Sequence, residues 1–251
     1  MEYQDKNAET IDRWIEEGWE WGIPISHEEY EKAQEGDWGV LLTPTKPVPK
    51  EWFGSLKGKR ILGLASGGGQ QMPIFAALGA FCTVFDYSLR QLESERLVAE
   101  REGYSIEIIR GDMTKPLPFE DGSFDLIFHP VSNCYVQEVK PIFKECFRVL
   151  APGGVLLSGL DNGINFLFVD EDKRDELSVF PFDPVQNPQQ REQMEEDDDG
   201  FQFSHTMEEQ IGGQLEAGFQ LTHLYEDTNG SGAFHEHHIP CYLATRAVKE
   251  K

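Results

Sequence analysis

The chain has 251 residues, of which 39% are hydrophobic and 27% are charged, and its formal net charge at pH 7 is −23. This charge repels phosphate backbones and acidic lipids, and no Lys or Arg cluster offsets it, so we expect neither a nucleic-acid substrate nor membrane binding. The four cysteines are scattered, which suits reduced thiols better than disulfides or a zinc site. We find no signal peptide and no apolar run of membrane-spanning length, and we therefore expect a cytoplasmic protein.

The first 50 residues are predicted to form a helical cap. An apolar stripe at helical spacing marks the first helix and consists of Ile11, Trp14, Ile15 and Trp19. Ser26 and Glu29 have the spacing of a capping box, which predicts a second, short helix that ends near Gly36. Three prolines between residues 41 and 49 oppose a helix there, so we predict an extended linker.

The pattern that points to a ligand begins at residue 61. An apolar run at 61–64 leads into three consecutive glycines at 67–69, and Asp86 closes the next apolar run at 81–85. This layout predicts a strand, a tight turn, a helix and a second strand that ends in a carboxylate. Such glycines let the backbone approach a ligand, and a carboxylate about 20 residues further on can accept both ribose hydroxyls. The pattern favours a nucleoside-containing cofactor, although a glycine turn alone also closes ordinary strand–helix junctions.

Strands and helices alternate over the following residues. Pro73 fits the first turn of a helix that stops at Gly79, and Ser88 begins another helix that stops at Gly103. The remaining segments are a strand at 104–110, a turn and strand within 117–128, a helix at 139–150 and a strand at 155–160. This alternation implies a parallel sheet covered on both faces, with ligands beyond the carboxyl ends of its strands.

Residues 170–204 interrupt the alternation. They contain two acidic runs, at 170–176 and 195–199, on either side of a piece rich in Pro, Gln and Asn. We interpret the charge runs as solvated surface, and the functional alternative is a mobile lid inserted after the fifth strand.

The C-terminal part predicts one helix and two strands. A capping box at Thr206 begins a helix that ends at Gly218. One side of this helix carries Met207, Ile211 and Leu215. The strands at 219–226 and 241–248 are expected to form an antiparallel pair. We interpret the His235–His238 cluster between them as a solvated hairpin connection, because no second spaced set of ligands accompanies it as a metal site would need.

Four signals in the chain occur together and in a fixed order. They are the glycine turn, the acid that closes the second strand, Gly111-Asp112-Met113 after the third strand, and Leu150-Ala151-Pro152-Gly153-Gly154 before the fifth. In this combination, residues 57–161 resemble the class I S-adenosylmethionine-dependent methyltransferases. A nicotinamide-dependent oxidoreductase, the alternative, would share only the first two signals.

The resemblance implies an α/β fold. We expect a doubly wound, mostly parallel seven-stranded sheet with a C-terminal antiparallel strand pair and a helical N-terminal cap. Residues 1–50 would be the cap and residues 51–251 a Rossmann-like methyltransferase domain, with 170–204 as an acidic insertion or lid.

The resemblance also implies S-adenosylmethionine as the cofactor and S-adenosylhomocysteine as its product. The implied cofactor-binding residues are Ala65, Ser66, Gly67, Gly69, Gln70, Asp86, Tyr87, Asp112, Met113 and His129. Asp86 would hold the ribose hydroxyls, and Asp112 with Met113 would meet the adenine. The sequence departs from the family at Gly63, where an acid is usual, and at Ala65, where a glycine is usual. The candidates to replace that acid are Ser66, Gln70 and Gln71.

Methyl transfer from a sulfonium needs few catalytic groups. The protein aligns the acceptor and excludes water, and a general base is needed only if the acceptor loses a proton. The candidate catalytic residues are His129 and Tyr135, and the candidate acceptor-binding residues are Trp21, Asn133, Tyr135, Asp161 and Asn162. Structural alternatives stay open for three of these positions: a structural role at the strand end for His129, a turn at Asp161–Asn162, and packing for Trp21.

The sequence therefore predicts a methyltransferase that acts on a small-molecule acceptor and uses no metal. The acidic charge, the single-domain length and the enclosing cap favour a small acceptor over a protein acceptor. The alternative from another class is a non-catalytic protein that binds S-adenosylmethionine as a sensed ligand. The absence of the usual acid at Gly63 is the feature that best supports this alternative. The acceptor and the oligomeric state stay open.

Overall fold

The computed structural model describes residues 2–168 and 177–250, and a seven-stranded sheet lies at its centre. The strands are β1 (Arg60–Leu64), β2 (Phe81–Asp86), β3 (Ile106–Arg110), β4 (Phe124–His129), β5 (Leu150–Asp161), β6 (Gln220–Asp227) and β7 (Tyr242–Val248). Their order across the sheet is β3-β2-β1-β4-β5-β7-β6, and β7 runs antiparallel to both of its neighbours. This confirms the predicted mostly parallel sheet with its C-terminal antiparallel pair. The strand order reverses between β1 and β4, which opens a crevice at their carboxyl ends.

Helices cover both faces of this sheet. They are α1 (Tyr3–Glu16), α2 (His27–Gln34), α3 (Gln71–Ala77), α4 (Leu89–Glu102), α5 (Lys140–Val149), α6 (Pro188–Asp197), α7 (Gly213–Ala217) and α8 (Gly232–Glu236). The predicted capping box of α2 is present, since Ser26 accepts the Glu29 N–H and Glu29 accepts the Ser26 N–H. The predicted end of α4 is also confirmed, because Gly103 has a left-handed φ of 73°. Among the described helices, none has the length and apolar character needed to cross a bilayer.

Two apolar clusters, one on each face, hold the helices against the sheet. Alternate residues of β1 supply both clusters: Ile61 packs with Met72 and Phe75 of α3, while Leu62 packs with Ile142 of α5. Burial on both faces explains why the parallel strands read as continuous apolar runs in the sequence. The predicted buried face of α5 is confirmed, and it consists of Ile142, Cys146 and Val149 together with Phe143.

The N-terminal helix buries a different face from the predicted one. The buried residues of α1 are Asn7, Ala8 and Thr10. Trp19 lies beyond the end of the helix, where its ring packs at 5.3 Å from that of the half-buried Trp14. Burial of the polar Asn7 is possible because its side chain accepts the Phe201 N–H at 2.6 Å and donates to the Phe201 carbonyl at 2.9 Å. The cap is thereby fixed to the segment that follows α6.

The segment after β5 contains more helix than the sequence predicted. α6 forms within the piece expected to be irregular, and the Asn187 side chain caps it by accepting the Gln189 and Gln190 N–H groups. The acidic run at 170–176 lies outside the described residues. α8 occupies part of the predicted hairpin connection, and among the residues that the structure describes no three His, Cys, Asp or Glu side chains are arranged to hold a metal ion.

On the predicted side of the helix after Thr206, Ile211 alone of the three residues packs against the core. Met207 and Leu215 are exposed, whereas Gln210 and Gln214 are fully buried. The cause is a π-helical turn at Glu208–Gly212, which leads into α7 and changes the phase of the residues that face the sheet.

We expect Asn7→Ala to lower the free energy of unfolding by at least about 2 kcal/mol, because the buried Phe201 N–H and carbonyl lose their partners. Urea denaturation and hydrogen exchange of the α1 amides measure the effect. Glu9→Ala is the control, since Glu9 is exposed on the same helix. Equal stability and equal α1 protection in the two variants would contradict the anchoring role of Asn7.

Candidate active site

A cavity of about 1320 Å³ lies at the carboxyl ends of the parallel strands. Its wall is formed by the residues that end or follow β1 to β5, by one side of α1, and by α6 with its flanking residues. Pockets for one drug-sized ligand occupy about 300–1,000 Å³, so this cavity has room for two small molecules side by side.

The glycine turn after β1 brings bare backbone to the cavity. The Gly67 N–H donates to Asp86 Oδ2 at 3.1 Å, and a Cβ at Gly67 would lie 2.5 Å from the Cβ of Gln91. A Cβ at Gly68 would lie 2.7 Å from the Trp21 carbonyl oxygen. Larger residues are therefore excluded at both positions. Ala65, which stands where the family usually has glycine, adopts a left-handed φ of 47°.

Asp86 holds the end of β2 against this turn. Its Oδ2 accepts the Gly67 N–H and its Oδ1 accepts the Ser88 N–H at 3.0 Å. Burial raises the pKa of the Asp86 carboxyl, and the N–H bonds from Ser88 and Gly67 oppose that shift. The half-buried carboxylate lines the cavity, where its remaining lone pairs can accept hydroxyl groups.

The turn after β3 adds the next part of the wall. Asp112 Oδ1 accepts the Thr114 N–H at 2.8 Å and the Thr114 hydroxyl at 2.7 Å, which fixes the carboxylate beside Met113. A Cβ at Gly111 would lie 2.2 Å from the Phe85 ring, so only glycine allows this turn to pass so close to β2. A ligand with a ribose and an adenine fits this part of the wall. The wall here consists of Asp86, the side-chain-free backbone of the glycine turn, and the Asp112–Met113 turn.

The departure from the family at Gly63 has a steric cause. A Cβ at Gly63 would lie 2.8 Å from Met72 Sδ, so the thioether occupies the space that an acidic side chain would need. The three predicted replacements line the cavity. Ser66 donates its hydroxyl to Gln71 Oε1 at 3.1 Å, while the Gln70 amide donates to the Glu20 and Ile23 carbonyls of the cap. Gln70 therefore joins the glycine turn to the cap.

His129 does not line the cavity. It is fully buried, with Nδ1 at 2.8 Å from the Leu64 carbonyl and Nε2 at 2.8 Å from Asn133 Oδ1. Asn133 is buried as well, and its amide donates to Gln210 Oε1 at 3.0 Å. Burial lowers the pKa of His129, although its hydrogen bonds oppose this. Neither His129 nor Asn133 lines the cavity, and their hydrogen bonds connect β1 to the π-helical turn at Glu208–Gly212.

Two further predicted residues lie behind the cavity wall. The Gly69 N–H donates to Oε1 of the buried Glu95 at 2.8 Å, and burial raises the pKa of Glu95 to about 8. Asn162 belongs to the turn after β5, where its amide donates to the Pro240 carbonyl and its Oδ1 accepts the Ile164 N–H. The turn alternative for Asn162 is the one that the geometry supports.

The other predicted residues line the cavity, and in each case their chemical roles stay predictions. On the cofactor side they are Ala65, Ser66, Gly67, Gln70, Asp86, Tyr87, Asp112 and Met113, and on the acceptor side they are Trp21, Tyr135 and Asp161. Tyr87 also donates its hydroxyl to Asp5 of α1 at 2.8 Å. Sequence reasoning missed Asn165, Phe166, Phe182 and Tyr242. Proximity to Asp161 in sequence could have indicated Asn165 and Phe166, but Tyr242 is opposite Asp161 through strand pairing alone.

Comparisons with known proteins agree with this geometry. Residues 62–158 match the family model described as a methyltransferase domain. An uncharacterised methyltransferase of Bacillus subtilis (strain 168), YbaJ, is 42% identical over 249 residues, which cover 97% of each chain. A demethylmenaquinone methyltransferase of Renibacterium salmoninarum is 36% identical over 104 residues, or 41% of this chain and 42% of the relative. The crystal structure of an S-adenosylmethionine-dependent methyltransferase of Mesorhizobium loti superposes with a TM-score of 0.62 at 19% identity, covering 79% and 94% of the two chains, and shows the same fold.

Ala65→Gly is expected to raise the free energy of unfolding by about 0.5–1 kcal/mol. The left-handed conformation costs an L-residue about 1–2 kcal/mol, and glycine removes this strain. Because glycine loses more conformational entropy on folding, only part of that strain energy appears as added stability. The matched variant Gly68→Ala combines a φ of 94° with the close Trp21 carbonyl and should lose more than about 1 kcal/mol. Urea denaturation measures both. A loss of stability in Ala65→Gly would contradict the conclusion that the backbone at Ala65 is strained.

Asp86→Ala is expected to weaken S-adenosylhomocysteine binding by about 2 kcal/mol, because charge-assisted hydrogen bonds to the ribose are lost. Isothermal titration calorimetry measures the dissociation constant. Asp125→Ala is the control, since it removes a carboxylate that pairs with Arg60 at the opposite end of the sheet. An unchanged dissociation constant in Asp86→Ala would exclude the ribose assignment.

Proposed function

The chain belongs to the class I S-adenosylmethionine-dependent methyltransferases, and we propose on that premise that it methylates a small-molecule acceptor. The observation that supports this proposal is the cavity of about 1320 Å³, which continues from the cofactor-side residues into a region lined by residues after β4 and β5. A cofactor and a small acceptor would lie in the same cavity, with their reacting atoms near the ends of β1 and β4.

The cofactor would occupy the half of the cavity beside β1, β2 and β3. Ser66 and Gly67 would contact its amino acid and ribose parts, Asp86 its ribose hydroxyls, and Asp112 with Met113 its adenine. When bound, S-adenosylmethionine supplies an electrophilic methyl carbon, which bonds to the acceptor's lone pair as the carbon–sulfur electron pair returns to sulfur.

The cap would close this half and exclude water. Gln4, Asn7, Ala8 and Ile11 of α1 line the cavity, as do Trp19 and Trp21. A site lined by α1 and α6 favours a small acceptor over a protein surface, because a protein side chain would have to enter past both helices. We assign residues 1–50 to the cap and 51–251 to the methyltransferase domain on the same grounds, and 170–204 to a lid whose described part includes α6.

A cytoplasmic location belongs to the same proposal. All four cysteines are buried, and Cys82, Cys134 and Cys146 have raised thiol pKa values because of that burial. Inert, reduced thiols suit a reducing compartment. The chain's charge of −23 supports a partner other than nucleic acid or an acidic membrane.

Two measurements test the proposed function. Calorimetry with S-adenosylmethionine, S-adenosylhomocysteine and NAD should give saturable binding of the first two compounds and none of NAD. Transfer of a labelled methyl group is then followed over a panel of amines, phenols, thiols and carboxylates, with unfolded protein as a macromolecular acceptor. We expect label in at least one small-molecule class. Label that enters only protein would overturn the small-molecule acceptor, and tight binding without any transfer would favour the sensed-ligand alternative.

A further inference from the structure

The charged side chains described on the cavity wall are all acidic. The ionisable carboxyl groups on it are Asp86, Asp112, Asp161, Glu192, Glu196 and Asp199. Among the described residues that line the cavity, none is Lys, Arg or His. An acceptor that carries a phosphate or a carboxylate would therefore meet repulsion and no cationic partner, whereas a cationic acceptor would be attracted.

Asp161 is the most deeply buried of these carboxylates, with 5% of its surface exposed. Its Oδ1 accepts the Gly163 N–H at 2.6 Å and its Oδ2 accepts the Asn165 amide at 2.7 Å, so the carboxylate has a fixed orientation at the end of β5. Its charge acts on the titratable groups of Cys134 and Tyr242, whose pKa values are raised chiefly by burial, so that both are neutral. Among the described residues of the cavity wall, no cationic side chain accompanies it.

Aromatic rings line the same cavity as this carboxylate. They belong to Phe166 and Phe182, whose ring centroids are 5.2 Å apart, and to Tyr135 and Tyr242. Aromatic faces attract cations, and a cavity that combines such rings with a desolvated carboxylate suits an ammonium group on an apolar body.

Asp161 lies several strands away from Asp86, the carboxylate assigned to the ribose. Asp86 ends β2 and Asp161 ends β5, and the sheet order places three strand spacings between them. At about 4.8 Å for each spacing, the two carboxylates are about 14 Å apart along the edge. Asp161 thus belongs to the acceptor half, beyond the strand ends of β1 and β4.

We propose that the acceptor is an amine with an apolar or aromatic body, that its nitrogen lies on Asp161, and that Asp161 takes the proton which that nitrogen must lose. This inference rests on the proposed function, since it names the acceptor of that same reaction. A protonated amine has no lone pair to donate. Proton transfer to Asp161 yields a neutral amine, which is nucleophilic, and a neutral carboxylic acid, which afterwards releases the proton to water.

Burial prepares Asp161 for this exchange, because it raises the pKa of the carboxyl to about 6. A raised pKa means that the charged form is present above about pH 6 and is lost as the pH falls through that value. Amine binding should therefore weaken below about pH 6 in the native protein.

The test uses the full chain saturated with S-adenosylhomocysteine and three probes of similar size: 2-phenylethylamine, 2-phenylethanol and 3-phenylpropanoate. Calorimetry should show the amine binding about tenfold or more tightly than the alcohol, with the carboxylate weakest. Asp161→Asn should lose about tenfold or more of the amine affinity and its dependence on pH near 6. Unchanged S-adenosylhomocysteine binding in Asp161→Asn shows that the variant is folded, and Asp125→Asn is the charge-matched control.

Each outcome separates the two proposals. Equal binding of amine and alcohol, preferred binding of the carboxylate, failure of the amine to bind, or full amine affinity in Asp161→Asn overturns the amine subsite. Methyl transfer to another small-molecule class would then leave the proposed function intact. Conversely, amine binding that depends on Asp161, without methyl transfer to any small molecule, supports the subsite and overturns the proposed function.

Discussion

The Gly67 N–H donates to the Asp86 carboxylate across 3.1 Å, and this hydrogen bond joins the carboxyl ends of β1 and β2. The Ala65 N–H reinforces the junction by donating to the Phe85 carbonyl at 2.8 Å. The turn can lie this close to Gln91 of α4 and to the cap at Trp21 only because positions 67 and 68 carry no side chain. The shape of the cofactor half, the start of α4 at Ser88 and the contact with the cap at Trp21 all depend on this junction.

The cap is attached to the same residues that form the cofactor half. Asp12 of α1 accepts the Ser88 hydroxyl at 2.5 Å, Asp5 accepts the Tyr87 hydroxyl, and Gln70 bonds to cap carbonyls. Ser88 and Tyr87 directly follow Asp86. Order in the cap and order at the cofactor site are therefore coupled, because a shift of either one moves shared hydrogen-bond partners.

Local patterns in the sequence predicted the strands, the caps of α2 and α4, and the carboxylate at the end of β2, because each depends on neighbours within a few residues. The resemblance to a known family implied the seven-stranded sheet and the site position of Asp112. Contacts between distant segments could not be predicted in this way. The pairing of Asp161 with Tyr242, the π-helical turn that buries Gln210, and the enclosure of His129 by Leu64 and Asn133 all depend on tertiary packing. The prediction of the buried face of α1 was wrong for the same reason, since Asn7 is buried by a hydrogen bond to a residue 194 positions away.

The carboxylate-lined wall also has a consequence for turnover. S-adenosylmethionine carries a sulfonium cation, whereas the thioether that remains after methyl transfer has lost that charge. A wall with six carboxyl groups and, among the described lining residues, no cationic side chain attracts the first compound more than the second. Fresh donor would thereby gain an electrostatic advantage over spent product in competition for the site.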